Sequence, residues 1–496
     1  MSEQNSASGL SGGAALKAQP QEMKTSSYIY GVEVLDGNDA WALFEAAGNG
    51  DLTRVAALLE KDGRLVNAQY CYQFPLHRAV QAGHAEVVEL LLARGADPGQ
   101  SRYTYDSWDK LLRSARDAGQ RTIESLLVRA MESRFNYRPR FDRLREAIVA
   151  RDSVAIEQTI VNEPELVTAS DALGNNALHW CVITRQFQWL RRFAELGTPI
   201  DALRADGNSP LLLAVNGATD YWYRDTRERT HPSIRNTSVL VGYLLALGAR
   251  YSMSVAAAVG DQEQILKLLD EDSRQARQLD SSRISPLSRA SRSGYLHIVR
   301  LLLDHGADPR QPEDCAPEGR ALYEACCGNH ISIAKLLLER GANPNGGVDS
   351  CECCLTIAEV YHGESAKPLQ NLLLQHGACL PPYRMNTEQL KEAIRQGSMI
   401  TRHDEFPRCV MQNCDAELLD LLLAAQPGVI EQLEVSDELT FLRDPELMQR
   451  LLSAGLNPTR RNWLGKTLID VCDESGNHNI SSLLRSFLRS REEGAT

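Results

Sequence analysis

The sequence predicts an all-α chain built as a solenoid of about twelve helix-turn-helix units, and three observations lead there. A Leu-rich amphipathic segment ending in Gly-Ala, then Asp or Asn, then Pro, recurs as EVVELLLARGADP (Glu86 to Pro98), HIVRLLLDHGADP (His297 to Pro309) and SIAKLLLERGANP (Ser332 to Pro344). The step from Gly306 to Gly341 is 35 residues and from Gly341 to Gly377 is 36, a period that marks stacked units, none able to bury its apolar face alone. Upstream of these segments sits a second, shorter helical pattern, as in FPLHRAVQAGH from Phe74, NALHWCVITRQ from Asn176 and SPLSRASRSGY from Ser285.

Taken in order, residues 1–27 are rich in Ser, Gly and Gln and read as a disordered tail. DAWALFEAAGNGDLTRVAALLEKD, from Asp39, reads as an N-terminal unit. First helices are placed near Trp41, Phe74, Leu112, Leu144, Asn176, Ser209, Ser254, Ser285, Arg320, Cys353, Thr387 and Lys466. Ser, Thr or Asn at the first place caps a helix, Pro suits the first turn, where its missing N–H costs nothing, and a later Gly ends it. In the longer helices Val88, Leu91 and Leu92 repeat at helical spacing and give one apolar stripe per unit. Weaker echoes are LLALGARYS from Leu244, LLLQHGACLP from Leu372 and LLSAGLNP from Leu451. The array is expected over 28–380, with an insertion at 216–236. Divergent units and a cap follow over 381–488, after the proline pair of CLPPYRMN, and a charged tail over 489–496.

Pro75, Leu76, His77, Ala79, Gly83, Gly95, Ala96 and Asp97 follow the pattern T-P-L-H-x-A, second helix, G-A-D. At these residues the chain resembles the ankyrin-repeat family, and with weaker copies the resemblance runs from about Asp39 to Leu488. Thr never accompanies Pro, Leu and His in one unit, and the units near Leu112, Leu144 and Thr387 depart furthest from the pattern. The resemblance implies that proteins bind one concave face, with Tyr72, Arg78, Trp180, Arg289 and Tyr323 contributing by repeat position. It also implies that His77 and His179 make structural hydrogen bonds at helix starts.

The stretch NGATDYWYRDTRERTHPSIRN, Asn216 to Asn236, separates two helices that regular units join by a short turn. Tyr221, Trp222, Tyr223 and Arg227 are residue types enriched in binding hot spots, and long loops on rigid scaffolds carry function. Packing of these aromatics onto the next unit is the other reading. SRYTYDSWDK from Ser101 and SRFNYRPRFDR from Ser133 are similar in composition and read as irregular packing.

DSCECCLTIA places Cys351, Cys353 and Cys354 together, with Cys315, Cys326 and Cys327 just upstream. Zinc sites use two spaced pairs of ligands, and C-x-C-C has no second pair here. Cys353 and Cys354 fall at the motif's Thr and Pro, whereas Cys326 and Cys327 lie about six residues along the preceding first helix. Aligned helices would then separate the two pairs by roughly 12–13 Å, too far for one ion. Two readings stay open: small core and cap residues, or a local metal or redox site at Cys351, Cys353 and Cys354, in which Cys353 gains thiolate character from the helix N-terminus.

Of the 496 residues, 43% are apolar and 24% charged, normal for a chain that folds and buries a core. A net charge of −12 argues against nucleic acid and anionic membranes as partners and suits a basic protein such as a toxin, a nucleic-acid enzyme or a basic tail. There is no secretory signal pattern and no run of 18 apolar residues. Twelve cysteines then suggest reduced thiols in a cytoplasmic protein. The chain lacks G-x-x-x-x-G-K-[ST], G-x-S-x-G, H-E-x-x-H and the kinase motifs. The expected function is a non-catalytic protein-binding scaffold without a cofactor. The alternatives are a metal-binding or redox-regulated scaffold, a regulatory subunit or inhibitor of a basic partner, and an active site in the insertion.

Overall fold

The computed structural model describes residues 19, 23–30, 32–70, 73–97, 108–216, 238–348, 352–380, 382–397, 410–412, 414–426, 428–430, 439, 442–460 and 466–494. Its contacts divide into two compact units, residues 27–379 and residues 380–496 together with those before 27.

The larger unit opens on an antiparallel hairpin, β1 (Tyr28–Tyr30) with β2 (Glu33–Leu35), and continues as helix pairs that fall into three blocks of one design. The first block holds α1 (Gly37–Asn49), α2 (Leu52–Lys61), α3 (Pro75–Ala82), α4 (Ala85–Ala93), α5 (Trp108–Asp117) and α6 (Arg121–Phe135). The second holds α7 (Phe141–Val149), α8 (Ser153–Asn162), α9 (Ala177–Thr184), α10 (Phe187–Glu195), α11 (Pro210–Asn216) and α12 (Ser238–Ala246). The third holds α13 (Met253–Val259), α14 (Gln262–Glu271), α15 (Pro286–Ser293), α16 (Leu296–Asp304), α17 (Ala321–Cys327), α18 (Ile331–Glu339), α19 (Cys354–His362) and α20 (Lys367–Gln375), with a short pair β3 (Gly347–Val348) and β4 (Glu352–Cys353) before α19. In each block the second helix is followed by a 3-10 turn, at Gly63–Asn67, Pro164–Val167 and Ser273–Arg277. An aspartate caps that second helix each time: Asp51 accepts from the Arg54 amide, Asp152 from Val154 and Ala155, and Asp261 from Gln264.

The core is the line of apolar stripes expected from the sequence. Val55 and Leu59, Val88 and Leu91, Ile156 and Ile160, Leu190 and Phe193, Ile265 and Leu269, and Val299 and Leu302 are buried at helical spacing on successive second helices. Each such side chain contributes about 1.5–3 kcal/mol on burial.

Regular units connect a second helix to the next first helix by a long loop, here called a finger. It takes residues 196–209 between α10 and α11 and residues 340–353 between α18 and α19. Between α12 and α13 only residues 247–252 remain, so the third block begins without a finger.

In the smaller unit lie α21 (Thr387–Arg395), α22 (Ala416–Ala425), α23 (Pro445–Ser453), α24 (Leu468–Glu474) and α25 (His478–Gly494). Lys391, whose side chain is 5% exposed, sits among Glu388, Asp415 and Glu417 at 2.8–3.0 Å and pins α21 to the start of α22. Met23 is fully buried in this unit, and α25 continues to Gly494 through residues that read from sequence as a charged tail.

Candidate partner-binding face

A first helix needs a partner for the backbone N–H of its cap residue, and the side chain three places on supplies it. His77 Nδ1 accepts from the Phe74 amide at 2.9 Å and His179 Nδ1 from the Asn176 amide at 3.2 Å. His179 Nε2 lies 3.0 Å from the Asn208 carbonyl oxygen, so it carries the proton and the ring is neutral. Burial, then the nearby Arg204 charge, lowers the His179 pKa to about 3. Thr356, Gln389 and Asp470 do the same work for the Cys353, Asn386 and Thr467 amides. Where the third place is Ser288, too short to reach, Glu313 from the next unit's finger takes over. Its Oε2 accepts from the Ser285 amide at 2.9 Å, and its Oε1 accepts from the Ser285 and Ser288 hydroxyls at 2.7 and 2.6 Å.

The fingers are held by an aspartate and a donor nine residues later. Asp171 accepts from the Leu173 and Asn175 amides and, at 2.9 Å, from Trp180 Nε1. Asp280 accepts from the Ser282 and Ile284 amides and from Arg289 Nε and Nη2 at 3.0 and 2.8 Å. Trp180 is therefore 9% exposed and Arg289 7% exposed. Both were expected to contribute to a partner-binding face, and both donate to the aspartates of their own fingers, where a long donor stabilises the loop. Arg145 lies over the Trp180 ring at 6.0 Å and covers it further.

Of the other residues expected on this face, Arg78 and Tyr323 are half-buried. Burial pushes the Arg78 guanidinium below its ordinary value, and Tyr323 packs on Cys315, Ala316 and Val348. Tyr72, Tyr221, Trp222, Tyr223 and Arg227 lie outside the described residues, as does nearly all of the 216–236 insertion.

The cysteines require one correction. The thiols of Cys326 and Cys354 meet in the interior, both under 2% exposed, although aligned helices would keep them apart. The contact requires α19 to be shifted or inclined relative to α17, which a calculation on ideal aligned helices leaves out. The Cys326 thiol, then burial, raises the Cys354 pKa, and Cys354 Sγ donates to the Gly346 carbonyl at 3.3 Å. Burial pushes Cys327 up to about 12. Cys353 is half-buried, 3.5 Å from Thr356 Oγ1, while Cys351 lies outside the described residues. Among the described residues no three His, Cys, Asp or Glu side chains converge as a metal site, and no helix is long and apolar enough to cross a membrane.

Sequence reading missed Asp171, Asp280 and Glu313. The nine-residue spacing to Trp180 and Arg289 is visible in the sequence, but its meaning depends on the loop's fold. Glu313 acts on a different unit from its own, and no local pattern announces it.

Stacked helix pairs, capped first helices and aspartate-locked fingers define a helical repeat protein of the kind that presents an extended surface. The family model described as "Ankyrin repeats (3 copies)" matches residues 16–102 and 253–346, so the chain carries ankyrin repeats in those two segments and has the ankyrin-repeat fold. It is 44% identical over 61 residues to the 2-5A-dependent ribonuclease of Mus musculus, which is 12% of this chain and 8% of that protein's length. The crystal structure of the human ASB11 ankyrin repeat domain is 18% identical, with a TM-score of 0.27, over 48% of this chain and 99% of that one. Ankyrin repeats are a general protein-interaction module.

Proposed function

We propose that the chain is a non-catalytic scaffold that binds one or more proteins through the face built from its fingers and first helices. The observation that carries this reading is a division of labour along that face. Buried positions such as His179, Trp180, Arg289 and Glu313 are taken up by caps and finger locks. Arg78 and Tyr323 lie on the same elements and keep part of their surface exposed, where a partner can touch them. The net charge of −12 favours a basic partner, which the chain could regulate or inhibit.

Affinity capture from the native cell, followed by reconstitution with each purified candidate, tests this. Arg78→Glu with Tyr323→Ala should weaken the reconstituted complex at least about tenfold, whereas Val161→Ser on an exposed position of α8 should leave it unchanged. Equal loss from both, or no reconstituted complex, rejects the reading. Deleting residues 219–234 asks separately whether the insertion contributes.

A further inference from the structure

The junction of the second and third blocks holds a chamber of about 630 Å³, within the size range of ligand sites. Two changes in the chain create it. The α12–α13 connection lacks a finger, so the fingers on either side are the nearest neighbours across the gap. They close over it: a Cβ on Gly207 would lie 1.9 Å from the Ser281 carbonyl oxygen, and Arg289 bonds Asn216 from across α13. The second change is Ser254. With Ser252 as the cap of α13, Ser254 takes the place that Leu76, Leu178, Leu211, Leu287, Leu322 and Leu355 fill in other units. A serine there leaves the volume of a leucine side chain largely empty.

Ser254 is 2% exposed and lines the chamber, yet among the described residues its hydroxyl has no hydrogen-bond partner. A hydroxyl that lines a cavity and is not used by its own fold can accept from or donate to a group that enters. At the first junction Tyr137 is 6% exposed and its backbone pairs with Ser170 of the neighbouring finger. At the second, Tyr251 instead donates to Asp261 Oδ2 at 2.7 Å.

We infer that this chamber receives a basic side chain, arginine or lysine, from a protein partner. The inference rests on the protein-binding reading above. The walls include Leu203, 46% exposed, and Met253, which suit an aliphatic stem. Of the lining carboxylates, Asp272 is paired with Arg274 and Asp280 with Arg289, but Asp201 and Glu271 have no ion-pair partner among the described residues. Arg250 also lines the chamber, which leaves two carboxylates against one guanidinium. Asp201, Glu271 and Ser254 all line the chamber, so an entering cation meets the field of two carboxylates and finds the Ser254 hydroxyl as an acceptor.

The test is methyl NMR of the full chain labelled at its eight methionines, with Met253→Leu assigning the reporter. Blocked pentapeptides of alanine with a central Arg, Lys, norleucine or Glu are titrated in turn. Arg and Lys peptides should shift the Met253 methyl saturably, and Asp201→Asn with Glu271→Gln should weaken that binding roughly fivefold. Ser254→Leu, which restores the usual side chain, should abolish it. No saturable shift with Arg or Lys, an equal response to norleucine or Glu, or an unchanged affinity in the isosteric pair overturns the inference. Should Ser254→Leu fail to fold, the isosteric pair alone decides. Because the probe is a peptide, the outcome does not depend on finding the partner: a chamber that ignores basic peptides in a chain that still binds a purified partner disproves the chamber and spares the scaffold.

Discussion

Glu313 and His179 solve one problem in two ways, and their differences are measurable. Glu313→Ala leaves the Ser285 amide and two hydroxyls without their acceptor and should cost about 2–3 kcal/mol in urea unfolding. Adding Ser288→His should recover part of that loss, since a histidine three places after the cap serves the same amide at Phe74 and Asn176. His179 titrates from 6.5 in the unfolded chain to about 3 in the fold, so below pH 6.5 the unfolded state binds the extra proton. Stability is therefore complete above pH 6.5 and falls as pH drops towards 3, by ~1.4 kcal/mol per unit over that window. Urea midpoints at pH 7 and pH 5 should differ less in His179→Gln than in the native chain. A slope unchanged by the substitution would place the proton uptake elsewhere.

Single elements depend on how closely the turns of neighbouring units approach. Gly294 ends α15 at φ 85°, and a Cβ there would lie 2.6 Å from the ring of His330, which stands just before the next unit's second helix and bonds the Arg292 carbonyl. Gly294→Ala should destabilise the chain by about 1–3 kcal/mol, read from the shift in thermal midpoint. At this scale much of the architecture was legible in the sequence. Phe74, Asn176, Ser209, Ser285, Arg320 and Cys353 each stand immediately before the first residue of a helix, because cap, Pro and Leu act locally. What escaped was set by contacts between units. The roles of Trp180 and Arg289 are fixed by finger carboxylates, and the meeting of Cys326 with Cys354 by how one unit's helix lies on the next. The Ser254 unit was read two residues late, because its Ser-Met-Ser-Val start lacks the Pro and His that mark the register.

Across residues 27–379, the three-block design predicts that cooperativity is uneven. The chamber thins the packing between α11 and α13, so native-state hydrogen exchange should show opening at residues 247–260 at lower free energy than within α15 to α18. Ser254→Leu should raise protection there, and uniform protection in the native chain would contradict this. The difference between a regular unit and the chamber-bearing one is a matter of chain length and of one side chain, Ser254, together. Six residues join α12 to α13 and five join α6 to α7, where α10–α11 and α18–α19 use fourteen, so an in-frame insertion between Ala249 and Ser252 would add a finger where the chamber now opens. A feature that one insertion can erase can be lost in one step while every helix of the array stays as it is.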